Sequence, residues 1–186
     1  MVMPGSVKPP APMVAGGGGL WPVTASIHQH ETGFNLAKSN GVTLEQAGRI
    51  VEAALATARR MKYEPMSVAV LDRGGHLVAF KREDGSGIMR YEIAVGKAWG
   101  ALGMGRPSRV LNQMAIDRPF FIGALVGASG GRLVPVPGGV LIHDADGDLL
   151  GACGVSGDQS DPDERCAIEG VRAAGLSSLP AKMADE

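Results

Sequence analysis

Apolar residues between Thr43 and Lys62 recur at spacings of three and four, which predicts an amphipathic helix. The stretch "TLEQ" at its start is a capping-box pattern, in which the Thr43 side chain accepts a backbone N–H and Gln46 reaches back. Basic residues cluster at the other end, where they suit the negative end of the helix dipole. We therefore predict that the folded part of the chain begins with this helix.

Short apolar runs separated by glycine turns predict two β-hairpins. "MSVAVLD" (66–72) and "HLVAFKRE" (76–83) flank "RGG" and form the first pair. "GVLIHD" and "DLLGACGVSG" are joined by "ADG", a hairpin turn signal, and form the second. The preceding "RLVPVP" contains two prolines, so it is predicted to be an edge strand or an irregular approach to the sheet.

Further helices are predicted from helical spacing and from end signals. Residues 88–104 form one, ended by glycines. Pro107 can open a short helix that runs to about Ile116. Residues 120–128 are apolar and predict a buried turn or short helix.

The last predicted helix is "SDPDERCAIEGVRAAG", with Ser160 or Asp161 as its N-cap and Gly175 as its stop. Hairpins separated by helices are typical of an α+β fold, in which helices pack on an antiparallel sheet.

The chain divides into three parts. Residues 1–40 mix prolines with a four-glycine run, which predicts a flexible N-terminal arm. Residues 41–180 form the α+β domain, and 181–186 form a C-terminal tail. Trp21 in the arm is expected either to dock on the core or a neighbouring subunit or to stay mobile. His28 and His30 are too few to assign a metal site.

The composition and net charge of the chain argue against some classes of binding partner. The 186 residues contain 18 basic and 19 acidic residues, for a net charge of −1. This balance argues against nucleic acid and anionic membranes as partners. The chain lacks both an apolar run of about 18 residues that could span a bilayer and an ordinary signal-peptide pattern. Two cysteines are too few for a disulfide framework, which favours a reduced, cytoplasmic location.

Four segments together resemble the GlcG/HbpS family, which includes the C-terminal domain of PduO-type proteins and is sometimes labelled haem-degrading. They are "SVAVLDRGGHLVAFKREDG", "IAVGKAWGAL", "VPGGVLI" and "GDLLGACGVSG…DERCAIEGV", and the resemblance covers about 43–175. It implies a profilin-like α+β fold, assembly into a homo-oligomer, and haem or corrinoid binding. Some relatives are lyases that convert hydroxylaminobenzoate to a catechol and ammonia.

Three functions follow as hypotheses. The first is a binding protein for haem or a similar flat, carboxylate-bearing small molecule. The alternative is a cofactor-free lyase, or a related enzyme, acting on a small aromatic or hydroxy acid. The third is an accessory subunit without a ligand of its own.

Two glycine-rich stretches are candidate ligand contacts. Gly157 and Asp158 lie between a strand and a helix N-terminus, where backbone N–H groups favour an anion. Gly138 and Gly139 offer a bare backbone surface for a flat ligand. The alternative is structural: glycines that only let the chain turn, beside a helix cap.

Arg90 and Lys97 lie two turns apart on one helix face and could bind a ligand carboxylate, or they could pair with nearby acidic residues. We expect these cations and the two glycine-rich stretches to face a common hollow. His76 and Tyr91 are the candidate acid/base pair of a lyase, although His76 could equally be a solvated turn residue. The side chains able to ligate haem iron are His76, His143, Cys153, Cys166, Met89, Met104 and Tyr91.

Overall fold

The computed structural model describes residues 41–183. The predicted arm, including Trp21, His28 and His30, and residues 184–186 lie outside the described part. Within it the helices are α1 (Leu44–Met61), α2 (Arg90–Met104), α3 (Ser108–Asp117), α4 (Pro119–Ala128) and α5 (Ser160–Ala173). The strands are β1 (Ser67–Asp72), β2 (Leu77–Arg82), β3 (Gly139–His143), β4 (Leu149–Ser156) and β5 (Ser177–Leu179).

The strands form one antiparallel sheet in the order β2-β1-β4-β3-β5. Val70 in β1 lies opposite Ala79 in β2 on one side and Cys153 in β4 on the other. Both predicted hairpins are therefore confirmed, and β1 of the first joins β4 of the second. The predicted α+β class, with an antiparallel sheet and packed helices, is also confirmed.

Strand residues alternate between the two faces of the sheet, and each face packs on different helices. Val68 and Val70 contact the core formed with α1 and α5, whereas Leu71 contacts α2. In β4, Cys153 belongs to the first core and Ala152 to the second. The sheet is thus the middle of three layers, with the α1–α5 pair on one face and α2 on the other.

The ends of the helices follow local chemistry. The Thr43 hydroxyl accepts from the Gln46 backbone N–H at 3.2 Å, and the Gln46 side chain accepts from the Thr43 N–H at 2.9 Å, so the capping box is confirmed. At α5 the N-cap is Gln159, one residue before the predicted caps. The reason is that Asp163, inside the first turn, accepts the preceding backbone N–H groups itself.

Three features differ from the sequence-based expectation or extend it. Of the two predicted forms of "RLVPVP", an edge strand or an irregular approach, the structure has the irregular one, which is consistent with its two prolines. The short strand β5 completes the sheet beside β3, although no apolar run marks it. Met183, placed in the predicted tail, is 5% exposed and packs in the core with α1 and α5.

No helix within residues 41–183 combines the length and apolar character that crossing a bilayer requires. The same part of the chain contains no cluster of three or more His, Cys, Asp or Glu side chains arranged to hold a metal.

Helix α2 lies unusually close to the sheet because glycines remove side chains at the contact. A Cβ atom on Gly154 of β4 would collide with the carbonyl oxygen of Ala94 and lie 3.0 Å from the backbone nitrogen of Ala98. On the opposite side of α2, a Cβ on Gly96 would lie 2.7 Å from the carbonyl oxygen of Arg132. The helix is therefore packed backbone to backbone on two sides.

Two matched substitutions test this close packing. Gly154→Ala should destabilise the fold by several kcal/mol, because neither β4 nor α2 can yield without losing hydrogen bonds. Gly48→Ala, in the interior of α1 with nothing within 4 Å of the new methyl, should stabilise it by about 0.5–1 kcal/mol. Chemical denaturation of both variants measures the difference. Similar effects from the two would contradict the close packing of α2.

Candidate functional site

The three predicted site segments converge at one end of the sheet. Lys97 comes from α2, Gly138 and Gly139 lie just before and at the start of β3, and Gly157 directly follows β4. A Cβ atom on Gly138 would lie 2.9 Å from Lys97 Nζ and 2.8 Å from the Val155 carbonyl oxygen. The convergence was predicted, but these distances leave no room for the predicted hollow between the three described segments.

Lys97 is a core residue in the structure, only 2% exposed. Its Nζ donates to Asp163 Oδ2 at 2.6 Å and to the Val155 carbonyl oxygen at 2.9 Å. Burial lowers the pKa of the Lys97 ammonium group, and the neighbouring Asp163 carboxylate opposes that shift. The predicted ligand contact of Lys97 is therefore replaced by an internal ion pair between α2 and α5.

The glycine loop after β4 does bind an anion, and the anion is the protein's own Asp163. Its Oδ1 accepts the backbone N–H of Gly157 at 3.0 Å and that of Asp158 at 3.1 Å. Burial raises the pKa of Asp163, while Lys97 and these hydrogen bonds oppose the rise. The loop amides predicted to hold a ligand carboxylate are thus already used.

The remaining predicted contacts also have protein partners. Asp158 accepts hydrogen bonds from the backbone N–H groups of Glu64 at 3.0 Å and Gln159 at 2.7 Å, which lower its pKa. Gly139 donates its N–H to Ser108 Oγ at 2.7 Å. Arg90 donates to Ser156 Oγ at 3.2 Å. All of these groups lie around the same end of the sheet.

A second charged cluster beside this pair was missed at the sequence level. Arg109 of α3 forms ion pairs with Asp161 and with Glu164, the latter at 2.6 Å. Glu164 is fully buried, burial raises its pKa, and its Oε1 has no hydrogen-bond partner among the described residues. No local pattern joins Arg109 to α5; the only signal was the acidic first turn of that helix.

An open groove of about 360 Å³ lies between the first half of α2 and the loop that follows α4. The Arg132 guanidinium stacks over the Trp99 ring, 4.2 Å from its centroid. The Tyr91 ring meets Phe80 edge to face, with centroids 4.9 Å apart. The groove is lined by Met89, Tyr91, Glu92, Ile93, Val95, Gly96, Trp99, Gly130, Gly131, Arg132 and Val134.

Two of the candidate haem ligands, Met89 and Tyr91, line this groove. His76 is instead on the exposed β1–β2 turn, with its side chain 82% exposed and Nδ1 3.3 Å from Asp72 Oδ1. The other candidates are elsewhere: Cys153 and Cys166 are buried free thiols, His143 is at the end of β3, and Met104 is at the end of α2.

A family model described as "Haem degrading protein HbpS-like" matches residues 42–172. The chain belongs to this HbpS-like family. The resemblance to the GlcG/HbpS family is thereby confirmed, and the match ends within α5. None of the curated proteins matches the chain.

Solved structures agree with the assignment. A crystal structure of HbpS is 30% identical with a TM-score of 0.63, covering 74% of this chain and 92% of HbpS. A double mutant of HbpS from Streptomyces reticuli is 28% identical with a TM-score of 0.63, covering 88% of this chain and 97% of its own. A haem complex of PduOC, 23% identical with a TM-score of 0.67, covers 74% of this chain and 97% of PduOC and shares the fold.

The buried ion pair of this HbpS-like chain can be tested by removing one partner. Lys97→Met should lower the free energy of unfolding by about 3–5 kcal/mol, because it leaves the Asp163 carboxylate buried without its cation. Lys81→Met is the matched control, since it breaks the exposed ion pair with Glu52 and should cost no more than about 1 kcal/mol. Urea denaturation measures both; equal losses would show that Lys97 is not an essential partner.

The two cysteines of this HbpS-like chain should be unreactive in the folded state. Burial raises the pKa of the Cys166 thiol to about 12 and raises that of Cys153 as well, so almost no thiolate forms at neutral pH. Unfolding returns the pKa of both thiols to its ordinary value, so the unfolded chain loses thiol protons at a lower pH than the folded chain. The free energy of unfolding should therefore decrease as the pH rises past about 9. Labelling with Ellman's reagent should give no reaction before unfolding and two thiols per chain afterwards. Fast labelling of the native protein would contradict this burial.

Proposed function

We propose that this protein binds haem, or a similarly flat and carboxylate-bearing small molecule, in the α2 groove. The observation that carries the proposal is the groove itself, which has apolar and aromatic walls and a single arginine among its lining residues. The family assignment and the haem complex of the similarly folded PduOC support the same class of ligand.

The size and walls of the groove suit a flat ring system. Its volume of about 360 Å³ lies within the range of about 300–1,000 Å³ that is usual for small-molecule sites. Ile93, Val95 and Val134 supply aliphatic contacts, and Trp99 supplies an aromatic one. By contrast, a hollow of about 480 Å³ beside β2 is lined mainly by charged residues, including Arg59 and Glu83, and offers little apolar surface.

The charged residues that line the groove favour one orientation of the bound ligand. Arg132 lies over Trp99 in the loop after α4, and Glu92 lies nearer the start of α2. A carboxylate is attracted to the guanidinium and repelled by Glu92, so the propionate groups of haem would extend towards Arg132. Arg90 and Lys97 have no part in this arrangement, since both have partners near the end of the sheet.

Tyr91 is the side chain that we propose for the haem iron. Tyrosine is one of the known protein ligands of haem iron, and the Tyr91 ring is held against Phe80 while it lines the groove. Met89 is the second available ligand in the groove, but this residue is 66% exposed and has no comparable ring contact to hold it. Bound haem would supply an iron centre for redox or gas-ligand chemistry.

Self-association and a cytoplasmic location complete the proposed description. Large apolar side chains are exposed on the described surface, Phe120 and Ile116 among them, which is characteristic of a surface that meets another chain. The buried free thiols suit a reducing compartment. No nucleic-acid or membrane partner is proposed.

The lyase alternative stays a prediction. It needs His76 and Tyr91 at the same substrate, whereas only Tyr91 lines the groove. Incubation with hydroxylaminobenzoate and assay for released ammonia tests it directly. Ammonia release that is lost in both His76→Ala and Tyr91→Phe would favour the lyase, and no release above buffer would reject this substrate.

Titration with haemin tests the binding proposal. We expect a saturable Soret shift in the wild-type protein. Arg132→Gln should weaken binding about tenfold or more, because a charge-assisted contact of about 1.5–3 kcal/mol is lost. Tyr91→Phe should move the position of the Soret maximum, since the phenol oxygen is removed from the iron.

The control for this titration is Arg49→Gln, which removes an exposed arginine from α1, on the far side of the sheet, and should leave affinity unchanged. Met89→Leu removes the competing sulfur ligand and should leave the Soret maximum in place. Absorbance that rises linearly without saturation would reject haem binding. Saturation unaffected by Arg132→Gln and Tyr91→Phe would reject this groove as the site.

A further inference from the structure

Helix α4 is almost wholly apolar and yet mostly exposed. Of its ten residues, only Ile122 is buried. Phe120 is 93% exposed, and Ile116 at the end of α3 is 68% exposed. No residue between Arg118 and Arg132 carries a charge. An exposed apolar surface of this kind indicates a contact with another molecule.

The outward face of α4 combines one large side chain with several small ones. Phe120, Gly123, Ala124 and Gly127 are exposed, whereas Phe121, Ile122, Leu125 and Val126 turn inward or are half-buried. Nothing lies within 4 Å of a Cβ built on Gly123 or Gly127. The exposed face therefore carries a projecting ring at one end and a shallow depression at the other.

This shape is complementary to itself when two copies run antiparallel. A two-fold axis between residues 123 and 124 brings Phe120 of each copy over Gly127 of the other and Gly123 beside Ala124. Glycine and alanine at the crossing allow the two backbones to approach closely. A two-fold contact of this type closes into a dimer and does not propagate.

Charge favours the same arrangement. Arg118, the N-cap residue of α4, stacks its guanidinium over the Phe121 ring of the same helix, 4.4 Å from the ring centroid. This contact holds the cation at the positive N-terminal end of its own helix, where the helix dipole disfavours it. In an antiparallel pair, Arg118 of one copy lies beside residue 129 of the other, at the negative C-terminal end of the helix. A parallel pair would instead bring the two Arg118 cations together.

We propose that two copies of this chain dimerise through the exposed face of α4, antiparallel, with Phe120 of each copy seated on Gly127 of the other. The dimer deepens the self-association proposed above and rests on it, but it requires no haem. The residues of this contact are distinct from those that line the α2 groove.

Sedimentation velocity over a concentration series tests the surface. Phe120→Glu should weaken dimerisation at least about tenfold, because each copy would press a carboxylate into the apolar contact. Gly127→Leu should have the same effect by filling the depression. The matched control is Ile88→Glu, which places the same charge at an 83% exposed apolar position outside α4 and should leave the dimer intact.

Disulfide cross-linking tests the orientation. An equimolar mixture of Phe120→Cys and Gly127→Cys should form a disulfide between the two variants, and neither variant should cross-link alone. In the antiparallel pair, identical positions lie about 10 Å apart along the helix axis, too far for a disulfide. The native cysteines do not interfere because both are buried.

The possible outcomes distinguish the proposed α4 contact from self-association through another surface. A wild-type protein that is monomeric throughout overturns both, and leaves α4 to be covered by the first forty residues or by an unrelated partner. An oligomer that Phe120→Glu and Gly127→Leu do not weaken keeps self-association but rejects α4. Cross-linking of Phe120→Cys with itself rejects the antiparallel arrangement. None of these results depends on the haemin titration.

Discussion

The ion pair between Lys97 and Asp163 holds the two helical layers together around the end of the sheet. Lys97 belongs to α2 on one face and Asp163 to α5 on the other, and both are almost fully buried. Buried charges are costly to desolvate, so such a pair is tolerated only when its remaining hydrogen bonds are made. Here the Val155 carbonyl and the amides of Gly157 and Asp158 make them.

The close packing around this pair requires glycine at two neighbouring positions. Gly138 has a φ of +117° and no room for a methyl group between Lys97 and Val155, and Gly139 lies directly against the backbone of Lys97. With the inner face of α2 fixed in this way, its other face is left to form the groove with the loop after α4. The same constraint therefore explains both why the predicted hollow is filled and why a different opening exists beside it.

Local patterns predicted the fold well. The capping box at Thr43, the "RGG" and "ADG" turns and the helical spacing of α2 each depend on neighbours within a few residues, and all were found. The three-residue strand β5 was missed because its pairing with β3 leaves no periodic signal in so short a segment.

The site was harder to predict because its chemistry depends on distant residues. The prediction that Lys97, "VPGG" and "GVSGD" lie close together was correct. The sequence could not show that Asp163 would accept the hydrogen bonds of the loop amides. The groove unites α2 with residues 130–134, which have no motif and acquire a role only through packing. The sequence predicted acid/base chemistry for Tyr91, whereas its place in the same groove as Trp99 and Arg132 depends on the tertiary structure.

The two walls of the groove are held in place by different kinds of contact. Helix α2 is wedged between Gly154 of the sheet and the Arg132 carbonyl, and it cannot slide or rotate without collisions. The opposite wall turns at Gly130 and Gly131, both with positive φ, and is held by hydrogen bonds as well as by the stacking of Arg132 on Trp99. The Val134 N–H donates to the Gly96 carbonyl oxygen at 3.3 Å, and the Leu133 N–H donates to Ser129 Oγ at 3.1 Å. Both walls are therefore tied to the same helix, and the width of the cleft that a guest meets is set by the packing of α2.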